Sequence, residues 1–460
     1  MSSAISLPVR LEKIVGADRV RAEAADLEEF AIDGQKPSVV LQPRSAEEIA
    51  EIVRMAASEE LALVACGCGS KLGIGMPPLR YDLALDMKGL TQIVHYDAGD
   101  LTLSVEAGKS LGALQLTLKE KGQFLPLDVP CIECATIGGT VASGIDSTLR
   151  QQYGTARDLL IGAEFIDGKG QVCKSGGRVV KNVTGYDLHK LLVGSLGTIA
   201  VITRLNFRTF PLPETCAGHL ASFPNAGSAL NYRTSLLKTG LPFANLEVLG
   251  PEFTAMAAGI FKATNQEVPD ALSLNHWNVY AAFEGNESVV KRITRELEKL
   301  STVAEAPKNK YLTPATNEHL GGFLSQSYGF LIYAATSVAL FRIVLPEFTA
   351  ANIAEILRPA GEHSLRAVFG LRACNVAYLA FLAKTGDASA IQSLGPLATD
   401  VISTVAALQG TATLLHGPRL LKQRINVWGA KRGDFQMMQR VKQAFDPHNI
   451  FAPGRFVGDL

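Results

Sequence analysis

Short apolar runs alternate with amphipathic segments in the first part of the chain. Residues 38–43 (SVVLQP) and 61–66 (LALVAC) have the apolar character of buried strands. The segment between them carries apolar residues at helical spacing, and Ser45 with Glu48 forms the sequence pattern of a capping box at its start. The pattern therefore predicts a strand, a helix and a second strand.

The same alternation recurs further along. It appears at residues 101–128 and again at 158–210, where a helix is predicted at 186–195 between two strands. A proline-punctuated segment at 210–213 (FPLP) then marks a predicted domain boundary. Beyond it, repeated strand–helix units predict an antiparallel sheet that helices cover on one face, as in a duplicated ferredoxin-like domain. The predicted divisions are residues 1–32, 33–213, 214–435 and 436–460.

Composition narrows the class of protein. Of the 460 residues, 47% are hydrophobic and only 7% are aromatic, a pattern that suits a large α/β or α+β enzyme better than an extracellular sandwich. The 44 basic and 44 acidic residues cancel, which argues against nucleic-acid binding. Seven cysteines, an odd number without a dense framework, indicate reduced thiols and a cytoplasmic protein. The first residues lack the pattern of a signal peptide, and the longest apolar stretch, residues 329–346, is interrupted by Arg342. No transmembrane segment is expected.

Three glycine-rich stretches are the candidates for chemistry. Residues 65–73 (ACGCGSKLG) place glycines where backbone N–H groups can converge on a phosphate, although this stretch alone is more typical of a plain turn. Its spacing fits neither the Rossmann fingerprint nor the Walker loop. Residues 136–144 (TIGGTVASG) and 176–199 are also rich in glycine and small polar residues. Three such loops at strand ends favour one extended ligand site.

The order of these loops resembles the FAD-binding domain of the vanillyl-alcohol oxidase/para-cresol methylhydroxylase (PCMH) superfamily, over about residues 33–212. The resemblance extends to the FAD-binding subunits of glycolate oxidases, through residues 176–213 and the tail 445–456 (FDPHNIFAPGRF). It implies an α+β fold with a two-subdomain PCMH-type FAD-binding domain, a ferredoxin-like cap and a C-terminal segment that returns to the FAD domain. Three positions depart from the family pattern, namely Cys68, Leu196 and Ala452.

The resemblance also implies non-covalent FAD and a set of cofactor-binding residues, while the catalytic residues stay unknown. The implied set is Cys66, Gly67, Cys68, Gly69, Ser70, Leu72, Asp128, Thr136, Ile137, Gly138, Gly139, Ala142, Ser143, Gly144 and Ile199.

The function implied by the resemblance is that of the FAD-binding subunit of a glycolate oxidase complex that oxidises a 2-hydroxy acid. The expected partners are a second FAD-containing dehydrogenase subunit and an iron–sulfur subunit, with attachment to the inner membrane through these partners as an option. The paired histidines of the superfamily's 2-hydroxy-acid dehydrogenases are missing, since the late histidines are isolated. Two alternatives stay open: a self-sufficient dehydrogenase for D-lactate, another 2-hydroxy acid or a sugar acid, and a flavin-free assembly scaffold.

Two cysteine pairs allow a metal-site interpretation. Cys66 with Cys68, and Cys131 with Cys134, offer four soft ligands for zinc or an iron–sulfur cluster. Both pairs fall within or beside the glycine-rich loops, and one has the wrong spacing for a metal knuckle. The sequence therefore favours unliganded thiols and no metal, with Cys131 and Cys134 sensitive to oxidation if exposed.

Overall fold

The computed structural model describes residues 6–178, 185–270, 272–304, 306 and 308–460. The chain divides into two units. The first unit comprises Met1–Asp146, Thr155–Leu212 and Ala430–Leu460, and the second comprises Ser147–Gly154 and Pro213–Gly429.

The elements before residue 213 are short. In chain order they are α1 (Leu7–Val15), β1 (Val20–Arg21), α2 (Ala24–Glu29), β2 (Val39–Leu41), α3 (Ala46–Ser58), β3 (Leu63–Cys66), β4 (Leu83–Asp86), β5 (Ile93–Asp97), β6 (Thr102–Glu106), α4 (Leu111–Lys119), β7 (Gln123–Phe124), α5 (Ile137–Ser143), α6 (Arg150–Tyr153), α7 (Ala156–Leu159), β8 (Leu160–Ile166), β9 (Val172–Gly176), β10 (Val201–Arg208) and β11 (Phe210–Pro211).

Longer elements follow. They are β12 (Thr215–Phe223), α8 (Ala226–Lys238), β13 (Phe243–Leu249), α9 (Pro251–Ala263), β14 (Trp277–Gly285), α10 (Glu287–Val303), β15 (Lys308–Leu312), α11 (Pro314–Ile332), β16 (Ser337–Val344), α12 (Ala350–Glu362), β17 (Arg366–Arg372), β18 (Val376–Ala383), α13 (Asp387–Ala407), β19 (Thr411–His416), α14 (Arg419–Lys422) and α15 (Phe435–Phe445).

The first unit contains a four-stranded sheet of order β1-β2-β4-β3, in which β2 and β3 both pair parallel to β4. The predicted apolar face of α3 is confirmed, because Ile49, Ile52, Val53 and Ala56 are fully buried against this sheet. Ser45 caps α3 as predicted by accepting the Glu48 N–H at 3.2 Å. The other half of the capping box differs, since the Glu48 carboxylate accepts the Arg44 N–H and pairs with Arg19 instead.

The first unit also contains a five-stranded antiparallel sheet of order β5-β6-β10-β8-β9, whose apolar face packs against α4, α5 and α7. The prediction of a helix at 186–195 is wrong, because the chain there forms only a 3₁₀ turn at Leu188–Leu191. Positive φ angles at Gly185, Gly194 and Leu196 bracket this turn, and a right-handed helix does not tolerate them.

The second unit contains an antiparallel sheet of order β15-β12-β14-β13-β17-β18-β16-β19. The antiparallel prediction is confirmed, but helices cover both faces rather than one. Leu220 of β12 shares a core with residues of α9 and α11, whereas Phe223, on the opposite face, packs its ring on Tyr232 of α8 at 5.2 Å. A single apolar face per strand is therefore not the rule here, and the strands are apolar on both sides.

His219 is an unusual member of this sheet. It is 1% exposed, its ring lies 5.0 Å from that of Tyr311, and neither ring nitrogen has a hydrogen-bond partner among the described residues. Burial lowers the pKa of His219 to about 4, so the imidazole is neutral in the folded state.

This burial predicts acid sensitivity of the second unit. The unfolded chain binds the His219 proton near pH 6.5 and the folded chain near pH 4, so the free energy of unfolding should fall as the pH drops through that window, by up to ~3 kcal/mol. Denaturant titrations at several pH values measure this slope. His219→Leu should reduce the slope, whereas His319→Leu at an exposed position of α11 should not. Equal slopes in wild type and His219→Leu contradict the assignment.

Candidate functional site

The loop after β3 lies against the start of α5 so closely that only glycine fits. A Cβ atom at Gly67 would lie 2.1 Å from the Oγ1 of Thr136 and 3.0 Å from its Cβ. Thr136 itself is held in place, because its hydroxyl caps α5 by accepting the Gly139 N–H at 3.2 Å. Gly69, two residues on, has a φ of +82°, which favours glycine. At Gly67 and Gly69 the loop therefore presents backbone rather than side chains.

Two adjoining cavities lie along this contact, both within the first unit. They share Ala65, Gly67, Thr136, Gly139, Ala142 and Leu196. The first cavity is further lined by Cys68, Gly69, Ser70, Lys71, Leu72, Ser143 and Arg455. The second is further lined by Cys66, Met87, Ala107, Gly138, Gly197, Ala200 and Ile202. We refer to the two together as the loop cleft.

Most residues expected from the sequence line the loop cleft. They are Cys66, Gly67, Cys68, Gly69, Ser70, Leu72, Thr136, Gly138, Gly139, Ala142 and Ser143. Asp128, Ile137, Gly144 and Ile199 do not appear in its lining. Ile137 is the first residue of α5, and its side chain is fully buried in the core. Gly144 ends that helix in the left-handed conformation. Ile199 instead lines a separate, apolar cavity beside Met437 and Val441 of α15.

The third glycine-rich stretch contributes only in part. Residues 179–184 lie outside the described residues. The segment around Leu196 docks on α5, because the Gly194 and Leu196 N–H groups donate to the Val141 and Ala142 carbonyls at 2.9 and 2.8 Å. Leu196 therefore lines the cleft. The sequence analysis had singled it out only as a departure from the family pattern.

Two basic residues line the first cavity, and neither is among the cofactor-binding residues expected from the sequence, although one of them, Lys71, lies within the first glycine-rich stretch. Arg455 is 3% exposed and donates to the carbonyls of Leu72, Ile74 and Met76. The C-terminal tail carries it there, since the Ala452 N–H donates to the Leu63 carbonyl of β3 at 2.9 Å. The sequence feature that could have pointed to this role is the presence of an arginine within a mainly apolar C-terminal tail.

Lys71 is the second basic residue. Its Nζ donates to the Ser70 hydroxyl at 3.1 Å and to the Pro130 carbonyl at 3.3 Å. Burial lowers the pKa of Lys71, and three neighbouring thiols oppose that shift. An ammonium and a guanidinium beside exposed backbone N–H groups suit a diphosphate, and the small-residue wall lets a flat group approach closely.

A second polar cluster lies in the second unit. The Tyr153 hydroxyl donates to Glu284, and the Cys216 thiol donates to the same carboxylate at 3.8 Å. Burial raises the pKa of Glu284, while these two hydrogen bonds lower it. The cluster is able to hold or release a proton at the Glu284 carboxylate.

Among the residues the structure describes, no group of three or more His, Cys, Asp or Glu side chains is arranged to hold a metal ion. None of the helices in the described ranges is long and apolar enough to cross a membrane.

Comparison with known proteins identifies the family. Residues 37–176 match the FAD binding domain family, and residues 212–456, more than half of the chain, match the C-terminal domain of FAD linked oxidases. The chain therefore belongs to the FAD-linked oxidases, and it is an FAD-dependent oxidoreductase with relatives among 2-hydroxy-acid oxidising enzymes. The presence of the FAD-binding domain makes FAD its cofactor.

Individual relatives agree with this assignment. The glycolate oxidase subunit GlcD of Bacillus subtilis is 24% identical over 425 residues, which cover 91% of this chain and 88% of that subunit. The glycolate oxidase subunit GlcE of Escherichia coli is 36% identical over 170 residues, 37% of this chain and 48% of that subunit. A solved structure of p-cresol methylhydroxylase shares the fold with a TM-score of 0.78 and 17% identity, over 97% of this chain and 95% of that one. The expected PCMH-type α+β fold is thus confirmed.

Proposed function

We propose that this chain binds FAD in the loop cleft and serves as a flavin subunit of a 2-hydroxy-acid dehydrogenase related to glycolate oxidase. The loop cleft carries the proposal, because of its glycines and its basic residues. Gly67, Gly69, Gly138 and Gly139, which we call the glycine wall, suit the flat ring of FAD, and the two basic residues suit its diphosphate. The similarity to two glycolate oxidase subunits supports the choice of substrate class.

Each part of the cleft has a proposed role. The backbone of Gly67–Ser70 and the Lys71 ammonium bind the pyrophosphate, and buried Arg455 adds positive charge while holding the loop in shape. Gly138, Gly139 and Ala142 leave room along the cofactor. When bound, FAD would supply the redox chemistry, because its isoalloxazine ring can take up electrons and pass them on. The protein residues orient the cofactor and exclude water from it.

The proposed partners are a second FAD-containing dehydrogenase subunit, which oxidises the 2-hydroxy acid, and an iron–sulfur subunit that accepts electrons. Support comes from the similarity to glycolate oxidase subunits of two kinds. Within this assembly the chain relays electrons through its flavin. No residue of the chain is assigned a direct part in substrate oxidation.

The visible spectrum of the purified chain tests this proposal, with anaerobic addition of glycolate or D-lactate. We expect a yellow protein whose flavin keeps its colour with either acid alone and bleaches when the partner subunits are added. Bleaching of the isolated chain by D-lactate or glycolate would instead identify a self-sufficient dehydrogenase. A colourless protein that does not bind added FAD would show that the cleft has another purpose.

A further inference from the structure

Lys442 of α15 is a buried cation that lies outside the lining of the loop cleft. It is 6% exposed, and its ammonium has an acceptor for each of its three N–H groups. Its Nζ lies 2.7 Å from the Thr198 carbonyl oxygen, 2.7 Å from the Asp446 carboxylate and 3.0 Å from the Phe451 carbonyl oxygen. Asp446 balances the charge, as a buried lysine requires. The two carbonyls belong to different parts of the first unit, so Lys442 joins those parts.

The Thr198 carbonyl belongs to a tight turn that lines the loop cleft. The Thr198 N–H and hydroxyl both donate to the Ser195 carbonyl, at 3.0 and 2.7 Å, so the turn moves as one piece. Leu196 and Gly197, at its centre, line the cleft. Leu196 has a φ of +52°, which a leucine adopts only where surrounding contacts hold it. Lys442 supplies one such contact from outside the turn.

The Phe451 carbonyl belongs to the C-terminal tail, which supports the loop after β3. The Asp446 carboxylate accepts the Phe451 N–H at 2.8 Å, so the group that balances the charge of Lys442 also shapes the tail. Four residues further on, Arg455 donates to the carbonyls of residues 72–76 in that loop. The tail therefore connects Lys442 to the loop.

From these contacts we infer that Lys442 is a positioning residue of the cofactor site, which fixes the Ser195–Thr198 turn relative to the loop after β3. The turn and the loop both line the first cavity, so their separation sets its width. A side chain without N–H groups at this position should release the turn and weaken FAD binding, although no group that contacts the cofactor is removed. The effect on FAD rests on the proposed function, whereas the hold on the turn does not.

The surroundings of Lys442 make this role testable by chemical rescue. Its side chain lines the apolar cavity beside α15, which has a volume of about 260 Å³ and is also lined by the exposed Met437. Lys442→Ala would enlarge this cavity by the space of n-propylammonium, which can enter from solvent and donate to the Thr198 carbonyl. Tetramethylammonium has the same charge but no N–H group, so it cannot replace the lost hydrogen bonds.

The test measures the FAD affinity of the full chain by flavin fluorescence. We expect Lys442→Ala to bind FAD at least about tenfold more weakly than wild type, since a buried carboxylate and two carbonyls lose their donor. Added n-propylammonium should restore most of this loss, and tetramethylammonium at the same concentration should restore none. Val441→Ala is the matched control, because it shortens the neighbouring side chain in the same cavity and leaves the Lys442 contacts in place. It should bind FAD within about twofold of wild type.

A second variant keeps the charges balanced if Lys442→Ala fails to fold. Lys442→Met combined with Asp446→Asn buries no unpaired carboxylate and still lacks the donors for Thr198. It should weaken FAD binding to a similar degree. Without FAD, hydrogen exchange should be faster than in wild type at the Leu196 N–H, which donates to the Ala142 carbonyl at 2.8 Å.

Several outcomes would overturn the inference. These are wild-type FAD affinity in folded Lys442→Ala or in the double variant, an equal loss in Val441→Ala, or no rescue by n-propylammonium. Equal rescue by tetramethylammonium would overturn the role of the hydrogen bonds and leave only one of charge. If wild type binds no FAD, the proposed cofactor site fails, but hydrogen exchange at Leu196 still decides whether Lys442 holds the turn.

Discussion

Gly67→Ala is expected to weaken FAD binding about 10- to 100-fold. The added Cβ would lie 2.1 Å from the Oγ1 of Thr136, and rotation of that side chain gives no relief because its Cβ is itself only 3.0 Å away. The loop or α5 must therefore shift, and overpacking of this kind costs ~1–3 kcal/mol. Titration of the purified chain with FAD, followed by flavin fluorescence, measures the loss.

Gly259→Ala is the matched control, since it makes the same chemical change in α9 of the second unit. Gly259 is exposed, and a Cβ there would meet no atom within 4 Å. Alanine in a helix interior should add ~0.5–1 kcal/mol of stability and leave FAD affinity unchanged. If Gly67→Ala binds FAD as tightly as this control, the glycine wall of the loop cleft does not contact the cofactor.

Arg455→Met is expected to destabilise the first unit by ~3 kcal/mol and to weaken FAD retention. The side chain is buried and donates to three backbone carbonyls of residues 72–76, with N···O distances of 2.6 Å at Ile74 and 3.4 Å at Met76. Methionine fills similar space but donates nothing, so the carbonyls lose their partners inside the protein. Thermal unfolding monitored by release of FAD reports on this unit.

Arg440→Met on α15 is the corresponding control, because Arg440 is exposed on the same C-terminal segment. Its stability should stay within ~0.5 kcal/mol of wild type. A similar FAD release temperature for Arg455→Met and Arg440→Met would mean that the buried guanidinium is not needed to hold the loop.

Much of the local structure follows from the sequence alone. The apolar spacing in α3 and its Ser45 cap depend on residues within one helix, so the pattern contains all that is needed. The helix predicted at 186–195 failed because its leucines also suit an irregular segment. The positive φ angles around it depend on contacts with α5, which local spacing does not record.

The family, the cofactor and most of the glycine wall could be predicted from the amino-acid sequence, because a backbone that must stay uncovered requires glycine at particular positions. Which basic groups lie beside that wall depends on the tertiary structure. Arg455 lies 384 residues after Lys71 in sequence, yet both residues line one cleft. Such contacts arise from the pairing of the C-terminal tail with β3 and the packing of α5 on the loop, and neither leaves a periodic pattern in the chain.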